Sequence, residues 1–226
     1  MTTAYLYTKL AILVLFSHLL LNAAQAQPIP QPIPQPLWSP ASLGESLADI
    51  LNTHKGDGAR EPPLGALLAN AESYLANHQD SPAAWSVTAR IRFWYADTQS
   101  LAKGLTLMAQ ARDELLTAID IDPRGQEGNA QAWLGFMYFA VPPWPVSFRS
   151  KKKSADYFQQ ALTISDTSLS NNYLYTQVLI WQKQYPEARK RLDRVRVSVD
   201  STALAPATRA LYLDGIDNML QEIGTP

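Results

Sequence analysis

From residue 40 onward the apolar residues recur at intervals of three and four, the spacing that lines one face of an α-helix. Turn-forming residues cut this pattern into segments. Ser42 followed by Glu45 fits a capping box. Pro82 after Asp80-Ser81, Pro186 before Glu187-Ala188, and Pro206 before an amphipathic stretch ending near Gly224 stand where a first helical turn tolerates proline. No run of alternating apolar and polar residues stands out, so the pattern predicts an all-α fold with short connections rich in Asp, Ser, Asn and Gly.

A longer period runs through the same helices. Ala111, Leu115 and Ala118 place a large residue between two small ones on one face, and Pro123 follows to stop the helix. Small residues let the two helices of a hairpin approach closely. The register recurs as Ser154, Phe158 and Ala161, and again as Tyr185, Ala188, Leu192 and Val195. Leu134, Gly135 and Tyr138 mark a first helix, and Trp85 opens an earlier one. On these residues the chain resembles the tetratricopeptide-repeat (TPR) family over residues 80–202. The resemblance implies a TPR-like helical-hairpin solenoid with irregular inter-helix insertions. Its clearest repeats fall at 83–123, 129–166 and 169–202, after a degenerate hairpin from Leu43 to Asn77 and before a C-terminal capping helix from Pro206 to Ile223. Extra residues fall between the helices of the first two repeats, in the second around VPPWPVSF, Val141 to Phe148.

That loop, followed by KKKSADYFQQAL, is similar to the Trp-Pro loop and lysine-rich helix of periplasmic T-components associated with TRAP-type transporters. The resemblance implies a helical periplasmic protein that contacts a solute-binding partner and is able to form a homotrimer with an internal channel. Arg149-Ser150 stands where glycine and an acidic helix cap are expected.

In a helical solenoid the first helix of each hairpin builds the concave wall. The family register puts Arg90, Phe93 and Trp94, then Phe136 and Phe139, then Tyr173, Gln177 and Trp181 on or near it. Two readings stay open: these aromatic residues close the inter-helix core, or they line an apolar groove for a peptide, a partner helix or a lipid-like molecule. Trp144, held among three prolines, either packs back on its own hairpin or contacts a partner.

Composition sharpens the picture at the N-terminus. Lys9, an apolar run from Leu10 to Leu21 and the small-residue site Ala24-Gln25-Ala26 predict a cleaved signal peptide at 1–26, hence a periplasmic or secreted protein with no stable transmembrane segment. Lacking cysteine, the chain cannot take a bacterial lipid anchor at that site, nor form disulfides or thiolate metal sites. Residues 28–36 read PIPQPIPQP and make 27–40 a proline-rich linker ahead of the helical domain at 41–226. There is no GxSxG, no GK[ST] phosphate loop and no HExxH. His54 and His78 have no sequence partner, and Asp120 and Asp122 before Pro123 read as turn residues. No catalytic, metal or cofactor site is expected.

The 226-residue chain has a formal net charge of -1, but its charge is segregated. Residues 149–196 hold ten Lys or Arg against four Asp or Glu, whereas 27–148 hold seven against twelve. Lys151, Lys152 and Lys153 fall at a helix start capped by Ser150, where the helix dipole favours anions. With Arg189, Lys190, Arg191, Arg194 and Arg196 they form a basic face, read either as solvated or as a dock for an acidic protein surface. Nucleic acid is not expected for an exported chain of this charge. The sequence therefore points to an exported, non-catalytic binding or scaffold protein mediating protein-protein interaction in the cell envelope. The alternative is a TRAP-associated periplasmic component that binds a solute-binding protein or an apolar small ligand.

Overall fold

Serine and proline start most of the helices in the computed structural model, which describes residues 38–224. The leader at 1–26 and the proline repeat at 28–36 lie outside the described residues, which belong to one compact unit, Pro34–Pro226. Nine α-helices and no strand occur among them. They are α1 (Pro40–Thr53), α2 (Asp57–Ala76), α3 (Pro82–Asp97), α4 (Leu101–Ile121), α5 (Asn129–Ala140), α6 (Lys151–Ile164), α7 (Leu169–Trp181), α8 (Tyr185–Ser201) and α9 (Pro206–Ile223). Ser81 and Ser150 cap α3 and α6, accepting from the amides of Ala84 and Lys153.

The fold is an all-α, helical repeat-like array in which α3/α4, α5/α6 and α7/α8 form successive hairpins. Ala111, Leu115 and Ala118 of α4, Ser154, Phe158 and Ala161 of α6, and Ala188, Leu192 and Val195 of α8 are all buried. At Gly135 the approach is so close that a Cβ would lie 2.8 Å from the Phe158 ring, and the Ser154 hydroxyl donates to the Gly135 carbonyl at 2.7 Å. The first hairpin carries its extra length in the helices, since only residues 98–100 connect α3 to α4, whereas 141–150 form a true loop between α5 and α6. α5 is apolar nearly all round and buried from Ala130 to Tyr138, as expected of a helix packed on several sides.

The two ends of the array meet. α2 packs chiefly on α3, leaving α1 to pack on α9 as well as on α2 and α3. The Ser39 and Ser42 side chains make the capping box of α1, so Glu45 is not its acidic member as the sequence pattern suggests. Glu45 instead reaches across to α9, whose N-cap, Ala205, has no side-chain acceptor. Its carboxylate accepts from the amides of Ala207 (2.6 Å) and Thr208 (3.1 Å) and from the Thr208 hydroxyl (2.6 Å), while Asn52 donates to the Ala207 carbonyl at 2.8 Å.

Candidate functional site

Pairing α9 with α1 covers the inner wall built by α3, α5 and α7, and a cavity of about 190 Å³ remains between them. Helical spacing selects what faces it. On α3 these are Arg90 and Trp94, one turn apart; on α5, Trp133 and Phe136; on α7, Ser170, Tyr173, Leu174 and Gln177. From the covering pair come Gly44, Leu47 and Leu51 on α1, and Leu211 and Tyr212 on α9.

Arg90 is the unusual group. Its Cζ lies 5.5 Å from the centre of the Trp133 ring, its buried Nε has no hydrogen-bond partner, and no carboxylate among the described residues forms an ion pair with it. Burial holds its guanidinium below the ordinary arginine range, with the nearby Tyr212 acting in the opposite sense. Arg92, two residues along the same helix, makes the contrast: it forms a forked contact with Glu114 (2.7–3.0 Å) and pairs with Glu72 at 2.8 Å. Burial alone would lower Arg92 too, but hydrogen bonding and charge pairing with Glu114, then Glu72, hold it above the ordinary value.

Tyr173 and Tyr212 meet edge to face, centroids 4.9 Å apart. Burial raises both phenols; Arg90 and Ser170 oppose the rise at Tyr212, and a hydrogen bond from Gln177 opposes it at Tyr173. Both side chains are therefore neutral hydroxyl groups at neutral pH. The Tyr173 hydroxyl sits directly over Gly215, where any Cβ would overlap it. Neither histidine nor cysteine lines the cavity, and its one carboxylate, Asp214, is exposed. The wall thus offers rings, neutral donors and three cations, Lys55, Arg60 and Arg90, without a nucleophile beside a base.

Of the residues expected on the wall, Arg90, Trp94, Phe136, Tyr173 and Gln177 come together here. Phe136 is both wall and core, being 6% exposed and edge-on to Phe93 and Trp133. Phe93 is buried in the inter-helix core, as the core reading has it. Phe139 and Trp181 do not line the cavity; they stack with centroids 5.9 Å apart and border a shallow groove with Lys151 and Lys183, Trp181 also lying against Phe136. Trp144 does not pack back on its hairpin: it is 83% exposed. The loop is fastened around it, with Arg149 Nε donating to the Val141 carbonyl (2.6 Å), Ser150 N to that of Tyr138 (2.8 Å), and Phe148 against Tyr138 and under Arg112.

The basic face is partly consumed inside the molecule. Arg189 donates to the Gly224 carbonyl at 2.8 Å, and Arg191 pairs with Glu187 at 3.0 Å, donates to Asn172 and lies over Tyr175. Lys153 lies over Tyr138. Lys151, Lys152, Lys190, Arg194 and Arg196 remain exposed without an ion pair among the described residues.

Outside the cavity, His78 stacks on Tyr74 with its Nδ1 2.8 Å from the Tyr74 carbonyl oxygen, and Asp122 accepts from the Arg124 amide. Among the described residues no cluster of His, Asp and Glu could hold a metal ion, and no helix is long and apolar enough to cross a membrane. Trp133, Ser170 and Tyr212 are cavity residues that sequence reasoning missed. Trp133 stands one turn before Phe136 and was within reach of the helical register; Tyr212 was not, because its place depends on the pairing of distant helices. Neither the family models nor the curated proteins include a match to this chain.

Proposed function

We propose that the protein is an exported, non-catalytic binding protein of the cell envelope whose helical unit encloses a small, largely apolar ligand. The observation that carries this reading is the covered wall. α1 and α9 occupy the inner face where an open solenoid would receive a peptide or partner helix, and what remains is a cavity of about 190 Å³ walled by aromatic rings. Gly44 supplies the control, because it lines the cavity and a Cβ added there meets nothing within 4 Å. The purified protein is unfolded in methanol and the released small molecules are quantified by mass spectrometry. The expected result is one compound approaching one equivalent per chain, depleted in Gly44→Met. Equal recovery from both proteins would refute occupancy of the cavity.

The exposure of Trp144 favours a second reading, a protein partner, for which a solute-binding protein of a TRAP-type system is the candidate. Trp144→Ala then weakens capture of that partner. Replacing Lys151, Lys152 and Lys153 by glutamine slows association more than it speeds dissociation. An association rate indifferent to salt and to the triple substitution would leave the basic face merely solvated.

A further inference from the structure

We propose that the cavity recognises a small monocarboxylate with an aromatic body, its carboxylate held by Arg90. This rests on the reading of the cavity as a ligand site and names the ligand's class. Burying a cation without a counter-charge is expensive, and the cost is relieved when an anion is brought to it. Arg92 shows how this helix treats an arginine it uses internally, supplying Glu114 and Glu72 as partners. Arg90 has no such partner among the described residues, and its Nε is free of any hydrogen bond. The burial that disfavours its charge is what an anion would offset.

The size and lining select within the anions. A volume of about 190 Å³ leaves room for a ring with a short acid arm. One guanidinium fork matches a planar carboxylate. A phosphate dianion would call for further cations with free donors; of the other two that line the cavity, Arg60 directs donors to the carbonyls of Leu51 and His54, and Lys55 is exposed to solvent. Trp94, Trp133, Phe136 and Tyr173 supply flat apolar faces, and Ser170 and Gln177 add neutral polar groups.

The test is calorimetric titration of the full-length mature protein at pH 7 with indole-3-acetate and its neutral isostere indole-3-acetamide, with octanoate and octanamide as an aliphatic pair and inorganic phosphate alone. Indole-3-acetate is expected to bind roughly ten- to a hundred-fold tighter than the amide, the range of a charge-assisted hydrogen bond, and tighter than octanoate, with phosphate silent. Arg90→Gln should erase the acid-over-amide preference while leaving amide binding in place, Arg90→Lys should keep part of it, and Gly44→Met should weaken both indoles together. If Arg90→Gln fails to fold, Arg90→Lys and the unsubstituted protein carry the comparison. Equal binding of acid and amide, a preference that survives removal of Arg90, or phosphate binding as tight as the acid would overturn the carboxylate assignment alone. Octanoate binding as tightly as indole-3-acetate would overturn the aromatic body. Silence of every organic probe would overturn the ligand cavity as well.

Discussion

Arg90 and Arg92 are two residues apart on α3, and their neighbours predict opposite responses to the same substitution. Arg92→Met strands Glu114, whose side chain is only 11% exposed, and should cost about 3–5 kcal/mol in urea unfolding. Arg90→Met removes an unneutralised, half-buried cation and should change stability by less than about 1 kcal/mol or raise it. Comparable losses in both would mean that Arg90 has an internal partner after all. At Gly215 the Tyr173 hydroxyl fills the space a side chain needs, so Gly215→Ala should cost about 1–3 kcal/mol by overpacking and blue-shift the tyrosine spectrum as the ring is displaced. The register of the resembled family placed Arg90, Trp94 and Phe136 on one wall, and the placement carries over because helix register is local. It could not say which arginine finds acids, since Glu72 and Glu114 arrive from two other helices.

Among the helices, α9 is capped by a side chain from a distant helix. Its N-terminal amides are satisfied by Glu45 of α1, an interaction with both cap and dipole character. Desolvation pushes the Glu45 carboxyl upward, but hydrogen bonds from Thr208 and Ala207 outweigh it and hold the group below the ordinary carboxylate value. A depressed folded-state pKa means that the unfolded chain binds the proton more readily, so the stabilisation is present above the unfolded value near 4.5 and fades as pH falls through the folded one. Amide exchange in α9 should therefore speed up below about pH 4 relative to the other helices, and Glu45→Gln should flatten that dependence. Because Glu45 is only partly buried, Glu45→Ala should cost about 1 kcal/mol or less. The pattern Ser42-x-x-Glu45 reads as a local box on sequence spacing alone. Ser39 wins the position because Pro40 must sit in the first turn, which frees Glu45 to serve a helix 162 residues away.

At the scale of the whole helical unit, the hairpins were legible and their closure was not. Gly135, Ser154, Phe158 and Ala161 carry a hairpin signature within one stretch of chain, whereas the joining of α1 to α9 is written only in side chains that have no sequence proximity. In an open array each repeat touches its neighbours alone, and the ends come apart first. Here the outermost helices hold one another. Exchange of the buried amides of α1 and α9 should therefore occur in one shared opening event, with the same denaturant dependence for both. Separate opening of α9 while α1 stays protected would contradict the mutual hold. The same seam has a kinetic side. The bond between Glu45 and Thr208 spans 163 residues, and a link of that sequence separation must await loop closure over most of the chain. The hairpins can assemble early, but the cavity comes into existence only at the final step, so ligand capture during refolding should lag behind the recovery of helical signal.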